Sequence, residues 1–370
     1  MPVEQKTVLE EMLSTLPADP EFTTTVLSFN DYELMREVFG IAPLSSSPDV
    51  DADDLLDHLV LYVDPDAVSL GVLRGPMVSG FSRVVPEFWG HRDIIGYDFR
   101  DVTQSLSIGP SLATSIVRGT FDSAESAAGI EGCSICEAPN IEIHNGTRFY
   151  SWREDEKVYP LDRFLPPAFD ELGRGGRLLI TDEYVFRTIR TADMEAIIDT
   201  VQGEGEGESL ADVELFQQLA RTMIELGSYS MYLSGVPMTL ERSIDMACPG
   251  TDEFCERRRR EEAAIGTKLA PYLGYAVGSA RDAQGPFIAV VLVHADSGTS
   301  AENTDLLQAR INDSTRWPYE GPWERVFNMD TSEFRADGVL MIAKLRRPDL
   351  PLGHPWVIWG DGSDPLFLMR

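Results

Sequence analysis

The hydrophobic pattern is built from short alternating runs broken by acidic or glycine-containing turns. IEIHNGTRFYSW sets alternating apolar positions on either side of Asn145-Gly146, which predicts a tight antiparallel hairpin. In TTTVLSFNDYELMREVFGI, the run from Thr23 to Phe29 reads as a strand. Asn30-Asp31 then reads as the cap of a helix carrying Tyr32, Leu34, Met35 and Val38. LATSIVRGTFDSAESAAGI repeats that order, with a strand over Thr114 to Phe121 and Asp122-Ser123 capping a short helix. Between them lie a Ser/Pro/Asp-rich turn, APLSSSPDVDADD, a short helix around Leu55 to Leu61 and a strand-like run from Ala67 to Leu73.

The second half echoes the first. RLLITDEYVFRTIRTA reads as strand, acidic cap and helix, and FIAVVLVHADSGTSAENTDLLQARI reads the same way. FRADGVLMIAKLR, with Asp337-Gly338 between β-rich arms, answers the Asn145-Gly146 hairpin. Three matches in one order predict a diverged internal repeat, with Leu161 to Gly176 as the connection. The fold class expected is α+β: antiparallel sheets with helices packed on one face, in an N-terminal half over 1–165 and a C-terminal half over 166–370. The second half also carries inserted helices. In ESLADVELFQQLARTMIELG, Ser209 and Asp212 have capping-box spacing, and Phe216, Leu219, Ala220, Met223 and Ile224 share one face before Gly227. EFCERRRREEAAI reads as a solvated helix, with Arg257 to Arg260 offset by Glu256, Glu261 and Glu262.

The order LLITDEYVFRTIR, a Gly-rich gap, then SLADVELFQQLARTM resembles bacterial extracytoplasmic proteins of unknown function that are often lipid-anchored and built from α+β halves. The resemblance runs from Thr23 to Leu226 and rests on structural phrases. It implies a location outside the cytoplasm and a lipid anchor in the precursor, and it supplies no active site.

Charge narrows the partners. With 61 acidic and 31 basic residues the formal net charge is −30, which repels nucleic acid and anionic membrane faces. The only lysines are Lys6, Lys157, Lys268 and Lys344, so the basic side is almost all arginine. Nothing resembles a transmembrane segment. The opening MPVEQKTVLEEMLSTLPADPEF lacks a basic and apolar signal, which read literally gives a cytoplasmic protein and otherwise a trimmed precursor.

Four cysteines stand as two close pairs, Cys133 with Cys136 and Cys248 with Cys255. A redox pair needs its first thiol at a helix N-terminus. In GCSICEAPN a helix precedes Cys133 and a Pro and a strand follow Cys136, with Glu131 and Glu137 nearby. Zinc requires four ligands, and the second pair is spaced too widely for a knuckle, although His144 offers a substitute. Two local disulfides fit an oxidising compartment; buried thiols fit a reducing one.

Asp49, Asp51 and Asp53 alternate like the start of a calcium loop, but Asp54 and Val60 stand where that loop needs Gly and Glu, and the acids suit a helix N-terminus equally. Glu204, Glu206 and Glu208 argue against QGEGEGES as a phosphate cradle and for a loop between helices. No G-x-S-x-G, H-E-x-x-H or P-loop pattern nominates a catalytic residue, and no cofactor is implied. Trp317, Tyr319, Trp323, Trp356 and Trp359 gather near the C-terminus, as a core closure or as a stacking surface for a glycan or peptide. The function expected is a non-catalytic extracytoplasmic binding or structural protein. The alternatives are a metal-assisted hydrolase and a carbohydrate or peptide binder using that aromatic cluster.

Overall fold

The computed structural model describes residues 6–40, 101–109, 114–133, 137–155, 176–204, 207–239, 241–242, 251, 253–263, 268–313, 327 and 330–346. These form two compact units, the first ending at Val213 and the second starting at Glu214. The chain from Gly176 to Gln202 belongs to the first unit.

Unit 1 contains strands β1 (Val26–Asp31), β2 (Val102–Ile108), β3 (Thr114–Gly119), β4 (Asn140–His144), β5 (Thr147–Trp152), β6 (Gly176–Ile180) and β7 (Tyr184–Thr188). They lie in the order β1-β2-β3-β7-β6-β5-β4, each pair antiparallel. Its helices are α1 (Val8–Leu13), α2 (Pro20–Thr23), α3 (Tyr32–Phe39), α4 (Ser123–Gly132) and α5 (Thr191–Gln202). Short acidic side chains start several of them: Asp31 accepts from Leu34 N at 3.0 Å, and Asp122 accepts from Glu125 N at 2.8 Å. Thr7 and Glu10 close a full capping box on α1.

Cross-strand register sorts the sheet into two faces. Phe29, Leu106, Ile116, Phe186, Leu179 and Phe149 follow one another across neighbouring strands on one face, all buried. The opposite face is polar along part of its width: Ser28, Ser107, Ser115 and Arg187 stand side by side, all buried, before the row passes to Leu178, Tyr150 and Ile141.

Unit 2 contains α6 (Glu214–Glu225), β8 (Ser228–Ser234), α7 (Glu253–Ala263), β9 (Gly274–Asp282), β10 (Gly285–Val293), α8 (Ser297–Asp313), β11 (Glu333–Asp337) and β12 (Leu340–Arg346). Its sheet runs β11-β12-β10-β9-β8, again antiparallel. Here helices cover both faces, not the single face expected. Leu307 and Ile311 of α8 pack with Val277, Ile288, Val290, Leu292 and Met341. Met223 of α6 faces Gly278 on the other side, where an added Cβ would lie 2.9 Å from its Cε. The cause is legible in β10: Phe287 to Val293 is an unbroken apolar run, buried at every position, and both faces must leave water.

Two of the three repeated phrases fold alike. Asp296 precedes α8 and accepts from Thr299 N at 2.9 Å, as Asp122 does for α4, and β11–β12 is a hairpin like β4–β5, with Gly338 in the left-handed region. The third does not. In LLITDEYVF a second strand, β7, pairs back on β6, and Thr181 bonds Tyr184 through its hydroxyl and backbone to close the turn. The acidic Asp182 in that turn does cap a helix, but it is α4: its Oδ1 accepts from Ser123 Oγ at 2.6 Å and Ser123 N at 3.3 Å. Those bonds hold its pKa below the usual carboxylate value, the Ser123 hydroxyl contributing most.

The Ser209–Asp212 capping box is present, yet it starts only a 3-10 turn over Leu210–Asp212. Val213 then returns to extended backbone, and α6 begins afresh, burying Phe216, Leu219, Ala220 and Met223 while Ile224 is half-buried. The helix 55–61 and the strand 67–73 lie outside the described residues.

Candidate functional site

The β4–β5 hairpin closes the far edge of unit 1's sheet. Its two-residue turn puts Asn145 at φ 45° and Gly146 at φ 78°, the left-handed pair that matches the strands' twist. Alternation then aims Glu142, His144, Thr147 and Phe149 to one face and Ile141, Ile143, Arg148 and Tyr150 to the other.

Each face is held by a helix. On the first, α5 presents Glu195, Asp199 and Gln202, spaced to share one helix side. Asp199 Oδ1 lies 2.7 Å from His144 Nε2 and accepts from Asn145 Nδ2 at 2.7 Å, while Glu195 Oε1 lies 3.6 Å from His144 Nδ1. Gln202 Nε2 donates to Thr147 Oγ1 at 2.6 Å. On the second face, Glu131 near the end of α4 accepts from Tyr150 Oη at 2.8 Å and from Arg148 Nη2 at 2.5 Å. The Tyr150 bond, then the Arg148 bond, holds the Glu131 carboxyl below its ordinary value, and burial pushes the Tyr150 phenol up to about 12. Lower on the stem, Trp152 Nε1 donates to Glu137 O at 2.8 Å, and Arg153 Nε bonds Glu137 Oε2 at 2.8 Å.

Among the described residues no strand pairs with the outer side of β4. In a two-residue hairpin the pair flanking the turn, His144 and Thr147, is hydrogen-bonded, and bonded and non-bonded pairs alternate down the stem. The pairs Ile141–Tyr150 and Ile143–Arg148 are therefore non-bonded, so the backbone N–H and C=O of Ile141 and Ile143 point outward along the edge. Their side chains are 51% and 73% exposed, the latter the most exposed large apolar residue among those described. Unit 2's edge strand β11 is built differently, with Glu333, Arg335 and Asp337 exposed along it, the guarded pattern that discourages strand addition.

Most residues singled out in the sequence are not brought together here. Cys133 is the C-cap of α4, in extended backbone directly after the helix, so the helix dipole at that end opposes a thiolate. Cys255 is buried on α7. Neither is a free cysteine. Cys136 and Cys248, the acids Asp49, Asp51 and Asp53, and the aromatics Trp317, Tyr319, Trp323, Trp356 and Trp359 lie outside the described residues. Among the described residues no group of three His, Cys, Asp or Glu side chains is arranged to hold a metal ion, and no helix is long and apolar enough to cross a membrane. The hairpin itself was readable from Asn145-Gly146. Its partners Glu131, Asp199 and Glu195 were not, because nothing local marks a carboxylate that acts on a strand 17 to 55 residues away.

No family model and no curated protein matches the chain. Two solved structures of TP0453 are similar, in crystal forms III and I. At 8% and 6% identity they cover 94% of this chain and 97% and 96% of theirs, each with a TM-score of 0.36.

Proposed function

We propose that the chain is a non-catalytic binding or structural protein that acts outside the cytoplasm. The observation that carries the binding role is the β4 edge, a strand held by α5 through His144 and paired with β5, which Glu131 of α4 holds in turn, yet presenting two exposed isoleucines and, among the described residues, a backbone side with no paired strand. A chain that guards the β11 edge with charges gains nothing from this exposure unless something docks there.

The compartment rests on the cysteines. Two local disulfides, Cys133–Cys136 and Cys248–Cys255, fit the close spacing of the two pairs and a Cys133 placed where thiolate chemistry is disfavoured. Thiol titration of the protein taken from its native cells, denatured without reductant and with alkylation at lysis, is expected to find no free thiol, and peptide mapping the two local links. Four free thiols would remove both the disulfides and the oxidising compartment. The aromatic and acidic clusters that suggested glycan or metal chemistry add nothing to this reading, since they fall outside the described residues.

A further inference from the structure

We infer that the β4 edge accepts an extended segment of a cationic partner protein, which joins unit 1's sheet as an added strand with apolar side chains on the Ile141–Ile143 face. The inference rests on the binding role proposed above and names the partner's chemistry. Ile141 and Ile143 offer outward N–H and C=O groups at a two-residue repeat, the spacing that an incoming strand's own ladder requires. Their side chains stand on one face and supply the apolar half of the cross-strand pairs.

Charge selects the rest. Around this edge stand Glu131 and Glu137 on the isoleucine side and Glu142, Glu195 and Asp199 on the other. Against these five acids, among the described residues paired with them, stand Arg148, Arg153 and, when protonated, His144. An apolar strip framed by carboxylates favours a segment that alternates apolar residues with lysine or arginine. A second copy of this chain fits poorly. It brings its own 61 acidic against 31 basic residues, and the register that pairs Ile141 of each copy with Ile143 of the other sets Glu142 opposite Glu142.

The probe is a fluorescein-labelled Lys-Val-Lys-Val-Lys-Val-Lys peptide titrated with the full chain and followed by anisotropy. Controls are Glu-Val-Glu-Val-Glu-Val-Glu and a form of the first peptide N-methylated at alternate amides. Binding of the basic peptide is expected, with loss of at least about tenfold in affinity on N-methylation and in the Ile143→Lys variant. It should weaken severalfold as NaCl rises from about 50 to about 500 mM, and hydrogen exchange should show new protection at the Ile141 and Ile143 amides. Should Ile143→Lys lose its far-UV circular dichroism, Ile143→Thr keeps strand propensity, removes apolar surface and serves the same comparison.

No binding of the basic peptide at about 1 mM, a concentration well above weak-interface affinities, overturns the inference. So does equal binding of the acidic peptide, or binding indifferent to N-methylation and Ile143, which would be unspecific attraction to an acidic surface. A dimer in sedimentation velocity that Ile143→Lys disperses would assign the edge to a second copy and also overturn it. The thiol titration stands apart: absent free thiols with no peptide binding would leave the compartment in place and remove this partner alone.

Discussion

Two buried polar side chains set opposite expectations. Ser28 is 5% exposed on β1, and its Oγ has no hydrogen-bond partner, although Ser107 is its cross-strand neighbour. A buried hydroxyl without a partner costs about 1–3 kcal/mol of desolvation, so Ser28→Ala is expected to leave the fold intact and raise the urea midpoint, by about 1 kcal/mol in stability. A lower midpoint would mean that the hydroxyl is satisfied. His294, at the end of β10, is the satisfied case. Asn303 Oδ1 accepts from Ala270 N at 2.7 Å, which orients its Nδ2 to donate to His294 Nε2 at 2.8 Å. Nε2 must then be the acceptor, and Nδ1 carries the proton and donates to Val339 O at 3.1 Å.

This arrangement holds the imidazole neutral, and burial, the largest cause, depresses its pKa below 6.5 despite the nearby Val339 carbonyl and Asp296. Above pH 6.5 the ring is neutral folded and unfolded alike. As pH falls through 6.5 the unfolded chain takes up the proton first, so stability drops, by at most about 1.4 kcal/mol per pH unit from this residue. Unfolding measured between pH 7.5 and 5.5 should show that loss, and His294→Gln should be less stable at pH 7.5 but flatter over the same range. An equally steep variant would assign the slope to other groups.

At the scale of elements, capping was legible and pairing less so. Asp31, Asp122 and Asp296 were read as caps, and each accepts from the backbone N–H three residues on. Asp182 failed only in its target, because cap and turn chemistry use the same residues and the sequence does not say which helix lies within reach. The two helical layers of unit 2 were hidden for a related reason: a fully apolar run such as Phe287–Val293 fits one covered face or two until neighbours are known. The Asp282 cluster is equally tertiary. From β9, Asp282 accepts from Arg346 Nη1 at 3.0 Å and Nη2 at 2.6 Å and from Lys344 Nζ at 3.0 Å, with Glu333 of β11 3.3 Å from Arg346. Both cations lie over Phe287 of β10, at 4.8 Å for Arg346 and 5.1 Å for Lys344.

Four strands therefore meet at one ionic knot. The Arg346 bonds, ahead of burial and Lys344, hold the Asp282 carboxyl far below its usual range, so its contribution is present above pH 4 and fades only in strong acid. Asp282→Asn leaves a guanidinium that is 3% exposed with Glu333 alone, and a loss of about 2–4 kcal/mol is expected in denaturant unfolding. A change below about 0.5 kcal/mol would class the pair with ordinary surface bridges. Packing gives a second test in the same unit. An added Cβ at Gly278 would lie 2.5 Å from Ser230 O and 2.7 Å from Met231 Cβ, before it reaches Met223 of α6. Since backbone cannot yield as a side-chain tip can, Gly278→Ala should cost more than about 2 kcal/mol, and wild-type stability in that variant would show that β8 can shift.

The whole molecule carries a net charge of −30, and within it the ion pairs just described are local exceptions to a general repulsion. Carboxylates on the surface outnumber the arginines able to reach them, and at low ionic strength their repulsion acts over tens of ångströms, since the Debye length is about 30 Å at 0.01 M and about 8 Å at 0.15 M. Screening should therefore stabilise the fold. Surface pairs such as Arg118 with Glu11 and Glu183, at 2.7 and 2.9 Å, lose a little in the same change, but exposed pairs contribute about 1 kcal/mol or less each. The melting temperature is expected to rise by about 5 °C between roughly 10 and 300 mM NaCl, and equally in choline chloride, because the effect belongs to ionic strength and not to sodium. A fall would place the balance with the ion pairs. Calcium chloride at matched ionic strength separates a further term. An increment above sodium would mean that carboxylates bind the ion directly, and its loss on replacing Asp49, Asp51 and Asp53 together with Asn would locate it in the SPDVDADD segment.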